Sequence, residues 1–145
     1  AKGIPVVTID RQTAGTPCQD FITFLGSDFF RQGQRAAQAL ADATGGKAVI
    51  AEIQGGYGNT VESQRTDGFA DGLKKFPTMK IVASQTANWS ATEAQKVMEQ
   101  VLLAHPDVNA VYAQADTMAL GAMTALRQAG KQRGVTVVSI DGTKD

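Results

Sequence analysis

Two apolar stretches of the chain each end in an aspartate. Residues 4–9 (IPVVTI) run directly into Asp10 and Arg11. Residues 135–140 (VTVVSI) run into Asp141. A carboxylate accepts hydrogen bonds from hydroxyl groups, and a guanidinium donates them in a planar fork. These side chains therefore have the chemistry needed to hold a ligand rich in hydroxyl groups.

Two further side chains, Arg65 and Trp89, add to this chemistry. Arg65 shares a predicted helical stripe with Val61 and Phe69, where a charge is unfavourable unless it has a partner. Trp89 is the single tryptophan of the chain, and its flat ring can pack against the C–H face of a ligand. As a hydrophobic staple at the start of a helix it would have only the small Ala94 as its partner. Both residues are therefore candidates for a ligand site.

The aspartates also have structural interpretations. Asp10 beside Arg11 can form a surface ion pair, which contributes little to stability. Asp141, and Asp116 after an earlier apolar run, are placed where an aspartate often caps a following helix. For Asp116 the capping role is favoured, whereas for Asp10 and Asp141 both interpretations stay open.

Composition and motifs argue against several functional classes. The 145 residues include 14 basic and 14 acidic side chains, which is unlike the charge footprint of a nucleic-acid binder. The only histidine, His105, and the only cysteine, Cys18, are far apart in sequence and match no metal-ligand spacing or nucleophile motif. The loop at residues 55–58 (GGYG) lacks a phosphate-binding fingerprint, and no run approaches the length of a membrane span. We therefore expect a non-enzymatic protein with no cofactor, no nucleic-acid partner and no direct membrane insertion.

Apolar runs alternate with segments of helical period along the whole chain. The predicted strands cover residues 4–9, 48–53, 80–84, 109–113 and 135–140. This alternation predicts an α/β fold in three layers, with a mainly parallel sheet covered by helices on both faces. Ligands bind such sheets outside the carboxyl ends of the strands. By this pattern alone, the two strands that end at Asp10 and Asp141 belong to one sheet.

The helical period also predicts which side chains face the core. The first helix is expected to bury Phe30 with Leu40, and the last helix is expected to bury Met123 with Leu126. The short segment at residues 21–26 (FITFLG) is expected to be extended.

Four segments resemble one family along the full length of the chain. They are IPVVTIDR, ESQRTDGF, VVSIDGT and the long stretch at residues 104–130 that contains AQADTMALG. Together they resemble the ribose- and galactose-type sugar-binding proteins of bacterial ABC importers, the type I periplasmic binding proteins, whose lobes are Rossmann-like. In that family, residues matching Asp10, Arg11, Arg65, Trp89 and Asp141 contact the sugar.

The resemblance implies a two-lobed protein of about twice this length. Residues 1–26 would be the last strand of the N-terminal lobe plus a hinge crossing, and residues 27–145 most of the C-terminal sugar-binding lobe. Asp10 and Asp141 would then face each other across a cleft rather than end strands of one sheet. The implied partners are a monosaccharide and, in the intact protein, a transporter permease or a chemoreceptor. The implied location is the periplasm, or the cell exterior with a lipid anchor.

One residue departs from the pattern of the ribose-binding relatives. Ala115 stands where they usually carry an asparagine, so an amide that could bond a ring hydroxyl is replaced by a methyl group. Two alternatives to a transport protein are compatible with an α/β fold. The effector domain of a LacI-type repressor shares the fold, but the chain lacks the GH-R-I type segment of many such repressors. A flavodoxin-like or dinucleotide-binding enzyme is disfavoured by the missing phosphate fingerprint.

Overall fold

A computed structural model of the chain describes residues 3–144. Its elements, in chain order, are β1 (Val7–Ile9), β2 (Thr23–Leu25), α1 (Phe29–Thr44), β3 (Ala48–Gln54), α2 (Thr60–Leu73), β4 (Met79–Thr86), α3 (Ala91–Ala104), β5 (Ala110–Ala113), α4 (Asp116–Gln128) and β6 (Thr136–Ser139). Strands β3 to β6 form one parallel sheet in the order β4-β3-β5-β6, and β1 pairs with β2 in a separate parallel ribbon. The predicted α/β architecture is confirmed.

The four-stranded sheet lies between two helical layers because successive side chains of a strand point to opposite faces. On one face, Ile50 and Tyr112 pack against α1 and α2, and the Tyr112 ring stacks on Phe69 with 4.0 Å between centroids. On the other face, Ile53 and Val111 pack against α3 and α4. The central strands β3 and β5 are thus buried on both sides, as their continuous apolar sequences predict.

The first strand is not part of this sheet. β1 and β2 pair in register from Val7 with Thr23 to Ile9 with Leu25, and the main-chain N–H of Asp10 extends the ladder to the carbonyl of Leu25. Asp10 and Asp141 therefore follow strands of different sheets. The expectation from pattern alone was wrong here, because alternation of elements does not specify which strands pair.

Two predicted core residues are also corrected. In α1 the buried aromatic is Phe29, with 4% exposure, whereas Phe30 is 38% exposed. The helix begins at Phe29, after the Asp28 cap, and this start turns the first of the two rings inward. In α4, Met123 is 44% exposed because it faces the open groove beside the edge strand β6.

Glycines bring α1 and α2 into close contact. A Cβ at Gly68 would overlap the main-chain oxygen of Phe30, and a Cβ at Gly33 would lie 2.6 Å from the main-chain nitrogen of Phe69. The two helix backbones therefore touch directly, and this contact sets the distance between α1 and α2. Among the described residues, no helix combines the length and apolarity needed to cross a bilayer.

We expect Gly68→Ala to lower the free energy of unfolding by about 1–3 kcal/mol, because the added methyl group meets backbone that cannot rotate away. The control is Gly134→Ala, whose Cβ would lie 4.0 Å from the nearest backbone atom and which should change stability by less than about 0.5 kcal/mol. Urea denaturation measures both. Equal stability of the two variants would contradict the close backbone contact.

Candidate ligand-binding site

All five predicted contact residues line one pocket. It lies where the carboxyl ends of the four-stranded sheet approach the end of β1, and its volume is about 160 Å³. Its walls are Asp10, Arg11, Phe29, Val61, Arg65, Trp89, Ala115 and Asp141. The volume is below the roughly 300–1,000 Å³ of pockets for drug-sized ligands, so a small molecule suits it. The structure thus brings together side chains from the β1 end, α1, α2, the β4–α3 loop and the ends of β5 and β6.

Arg65 is the most buried charge of the pocket, with 7% of its side chain exposed. Its Nε donates to Oε1 of Gln32 at 3.0 Å, one terminal nitrogen donates to the carbonyl of Gln114, and the other donates to Oδ1 of Asp141 at 3.2 Å. The guanidinium also lies 5.6 Å from the centre of the Phe29 ring. These partners stabilise a charge that burial alone would make unfavourable. The charge on this helical stripe thus has the partners that its position requires.

Asp141 is more open than Arg65, with 41% of its side chain exposed. Its Oδ1 contacts Arg65, so this carboxylate is fixed on one side and accessible on the other. Asp10 and Arg11, at the facing side of the pocket, form a contact of 3.6 Å with 71% and 60% exposure of their side chains. A ligand in the pocket would therefore meet one ordered carboxylate and one loosely held ion pair.

Asp116 does not cap α4. The N-cap of α4 is Ala115, which makes no side-chain capping bond. The Asp116 carboxylate instead accepts hydrogen bonds from the hydroxyl of Ser139 and from the main chain and hydroxyl of Thr143. Burial acts to raise the pKa of this carboxyl, but the hydrogen bonds outweigh it and hold the pKa below its ordinary value. The favoured capping role was wrong, and Asp116 instead secures the segment that carries Asp141.

Three of the five predicted contact residues have a left-handed backbone. The φ angles are 67° for Asp10, 62° for Trp89 and 124° for Asp141. Such conformations are unfavourable for residues with a side chain and persist only where the surrounding structure enforces them. Their concentration in one small pocket supports a functional role for it.

Trp89 is half-buried, and its indole lies against the loop that follows β3. A Cβ at Gly55 would overlap the six-membered ring of the indole, whereas a Cβ at Gly56 would lie 3.4 Å from Nε1. The absence of a side chain at Gly55 therefore makes room for the ring. Trp89 is therefore partly exposed and lines the pocket.

Sequence reasoning missed two contributors. Phe29 lines the pocket, but the sequence contains two adjacent phenylalanines and the other was chosen. Gln114 is fully buried behind the pocket and was not singled out as functional. The only available signal was its position directly after an apolar strand, which many structural residues share.

A buried polar cluster lies beneath the site. Glu52, in the middle of β3, accepts a hydrogen bond of 2.7 Å from Ser84 through Oε2, while its Oε1 and the hydroxyl of the neighbouring Tyr112 have no partner in the described chain. Burial raises the pKa of Glu52; the Ser84 hydrogen bond offsets part of this, and the Glu62 carboxylate raises the pKa further. Burial likewise raises the pKa of the Tyr112 hydroxyl. The Glu52 carboxyl and the Tyr112 hydroxyl therefore keep their protons to a higher pH than exposed groups of the same type would.

The lining of the pocket combines balanced charges with apolar surface. Its lining has two carboxylates and two guanidiniums, whose formal charges cancel, together with an indole and three apolar side chains. A neutral ligand with hydroxyl groups on its edge and C–H groups on its faces matches these walls.

Comparison with known proteins gives one consistent family. A sequence profile described as the periplasmic binding protein domain matches residues 1–145. The D-apiose import binding protein of Paraburkholderia graminis is 40% identical over 145 residues, which are 100% of this chain and 46% of that protein. The ribose import binding protein of Salmonella typhimurium is 41% identical over 143 residues, or 98% of this chain and 46% of that protein. The chain spans about half the length of the curated relatives it matches.

Solved structures agree with these relatives. The periplasmic binding protein of the arabinose ABC transporter from Shewanella sp. ANA-3, bound to α- and β-L-arabinofuranose, superposes with a TM-score of 0.92 at 38% identity, over 97% of this chain and 48% of that one. A protein from Mycobacterium smegmatis in complex with β-D-fucofuranose superposes with a TM-score of 0.88 at 39% identity, over 96% of this chain and 47% of that one.

The contact between Gly55 and the indole can be tested with two neighbouring glycines. Gly55→Ala should displace the Trp89 ring, shift its fluorescence emission and increase its quenching by acrylamide. Gly56→Ala is the control: its Cβ would only reach van der Waals contact with the indole, 3.4 Å from Nε1, so the ring should stay in place and both signals should change much less. Trp89 is the only tryptophan, so the signals have one source. Identical spectra for the two variants would contradict the packing of the ring on Gly55.

The buried carboxylate predicts a pH-dependent stability. Because the pKa of Glu52 is raised in the folded chain, the folded state binds more protons than the unfolded state above pH 4.5, so stability falls as pH rises through the raised pKa. Glu52→Gln removes this loss while keeping an acceptor for Ser84, so its stability relative to the unchanged chain should increase from pH 4 to pH 7. Urea denaturation across this range is the measurement, with Glu99→Gln on the exposed face of α3 as the control. A pH-independent difference would contradict the raised pKa.

Proposed function

The chain belongs to the periplasmic binding protein domain family, and on this premise we propose that it forms a sugar-binding lobe of a solute-binding protein that serves a sugar importer. The observation that carries the proposal is the pocket in which Arg65, Asp141 and Trp89 meet Asp10 and Arg11. One face of a sugar ring can be bound by three groups: the buried donor Arg65, the half-open acceptor Asp141 and the flat ring of Trp89.

Each residue has a distinct role in this proposal. Arg65 donates to ring or hydroxyl oxygens through the guanidinium hydrogens that its protein partners leave free. Asp141 accepts from a pair of hydroxyl groups on the accessible side of its carboxylate. Trp89 stacks against the C–H face of the sugar. Asp10 and Arg11 act from the facing wall, where their exposure leaves them free to reorient.

The β1–β2 ribbon supports the assignment of residues 1–26 to a second lobe and its hinge crossing, with residues 27–145 as most of the sugar-binding lobe. A two-stranded ribbon is marginally stable on its own, and this one exposes many apolar side chains, namely Ile4, Val6, Val7, Ile9, Ile22 and Leu25. Burial of these side chains against a further sheet would explain the pattern. The two lobes would then close about the ligand in a hinge motion.

The proposed ligand is a neutral monosaccharide. The cancelling charges of the pocket favour an uncharged molecule, and the methyl group of Ala115 favours a C–H or deoxy position beside it. The names of the relatives point to small neutral sugars, including ribose, apiose, arabinofuranose, fucofuranose and D-allose. The small volume of the pocket favours a pentose, and no catalytic step is required.

The proposed setting is transport. The curated relatives are import binding proteins, so a transporter permease or a chemoreceptor would bind the ligand-loaded form. The protein would act in the periplasm, or on the cell surface through a lipid anchor. The alternative of a repressor effector domain has no observation in its favour among these relatives.

We expect the 145-residue chain to bind sugars weakly. Without three or four further polar contacts from the rest of a facing lobe, at about 1.5 kcal/mol each, a micromolar site becomes one in the range of about 1–10 mM. Calorimetry and Trp89 fluorescence with a panel of pentoses and hexoses are the measurements. The pentoses should shift the fluorescence most. A chain that binds no sugar at any concentration tested would contradict the proposed function, and micromolar binding by a monomer would contradict the need for a second lobe.

Arg65→Met should weaken sugar binding at least tenfold, because a hydrogen bond to a charged group contributes about 1.5–3 kcal/mol. The control is Arg133→Met, in the exposed turn before β6 and at the opposite end of the sheet. Chemical-shift titration by NMR gives the dissociation constants, and urea denaturation gives the stabilities. If sugar affinity survives in Arg65→Met while stability falls, Arg65 is structural only.

A further inference from the structure

Gln114 is a buried side chain that does not line the pocket. It contacts the loop beneath Trp89 and the helix that carries Arg65. It lies directly after β5, is 0% exposed, and precedes the pocket residue Ala115. A buried amide has two donor hydrogens and one acceptor oxygen to satisfy. All of them are used in bonds to other elements, so the side chain acts as a junction.

The oxygen of the amide holds the loop beneath Trp89. Oε1 of Gln114 accepts a hydrogen bond of 3.0 Å from the main-chain N–H of Gly55. Gly55 is the residue against which the six-membered ring of the indole rests. Displacement of this loop would therefore remove the support of the ring.

The nitrogen of the amide holds the helical turn that carries Arg65. Nε2 of Gln114 donates to Oγ1 of Thr66 at 2.7 Å and to the carbonyl of Glu62 at 3.2 Å. Arg65 is adjacent to Thr66, and its guanidinium in turn donates to the main-chain carbonyl of Gln114. One residue thus fixes both the backbone from which Arg65 extends and the acceptor that Arg65 reaches.

We propose that Gln114 is a positioning residue that sets sugar affinity by holding Arg65 and Trp89 in the geometry that binds the ligand. This inference rests on the proposed function. Side chains that orient contact residues without touching the ligand can change affinity strongly, because a misplaced donor forms a poor hydrogen bond. A purely structural glutamine would instead affect stability and leave the geometry of Arg65 and Trp89 unchanged.

The chain contains a matched control. Gln54 is also a buried glutamine at the carboxyl end of a strand: it is the last residue of β3 and is 7% exposed. Its Nε2 donates to the same Thr66 hydroxyl at 3.1 Å. Its side chain makes no bond to Gly55 or Arg65 in the described chain. Gln54→Met therefore removes a buried amide of the same type without removing the junction that Gln114 forms.

The test compares Gln114→Met with Gln54→Met in the 145-residue chain. Three signals are read in folded protein: solvent exchange of the Arg65 Nε–H by NMR, acrylamide quenching of Trp89, and the dissociation constant for D-ribose and L-arabinose by chemical-shift titration. For Gln114→Met we expect faster exchange, stronger quenching and a dissociation constant raised about tenfold, as loss of one well-made hydrogen bond would give. Gln54→Met should stay within about twofold of the unchanged chain in all three.

A second variant keeps the test decisive if Gln114→Met does not fold. Thr66→Val keeps the bond between Gly55 and Gln114 but removes the hydroxyl of α2 that accepts from Nε2 of Gln114, so Arg65 exchange should accelerate while Trp89 quenching stays unchanged. The proposal is overturned if Arg65 exchange, Trp89 quenching and sugar affinity are all unaffected in the folded variants. If the unchanged chain binds no sugar, the proposed function fails, whereas the Arg65 and Trp89 signals still decide whether Gln114 positions these residues.

Discussion

The buried guanidinium of Arg65 is the constraint on which the site depends. A charge removed from water needs several partners, and Arg65 finds them on three other elements: Gln32 of α1, the carbonyl of Gln114 after β5, and Asp141 after β6. The requirement to satisfy one side chain thereby links α2 to the helix beside it and to two strand ends. The same bonds leave Asp141 oriented but half-open, which is the state a ligand acceptor needs.

Close backbone packing makes this arrangement rigid. Gly33 and Gly68 allow α1 and α2 to touch, so the helix that carries Arg65 has little freedom to slide. Gly55 has a comparable role beside Trp89, where the indole occupies the space that a side chain at Gly55 would fill. The strained backbone at Asp10, Trp89 and Asp141 is tolerated within this framework, and such strain is commonest where function requires an unusual orientation.

Local sequence features predicted much of the fold and the polar residues of the site. The alternation of strands and helices predicted the layered sheet, and the positions directly after strands predicted Asp10 and Asp141 as site residues. Pairing partners were not predictable in this way, since β1 joins β2 rather than the main sheet. Phe29 was missed because its role depends on where α1 starts. Gln114 was missed because its role depends on contacts between residues 48 positions or more apart in the chain, as between Thr66 and Gln114. Neither feature leaves a periodic signal.

The central claim is that Arg65, Asp141 and Trp89 act together on one sugar ring. A crystal structure of the chain soaked with a saturating concentration of the best-bound pentose tests this most directly. The account predicts a sugar with its C–H face parallel to the Trp89 indole and its hydroxyl groups within hydrogen-bonding distance of Arg65 and Asp141. Sugar density at another surface, with the Arg65–Asp141 contact unchanged and the pocket occupied only by solvent, would contradict it.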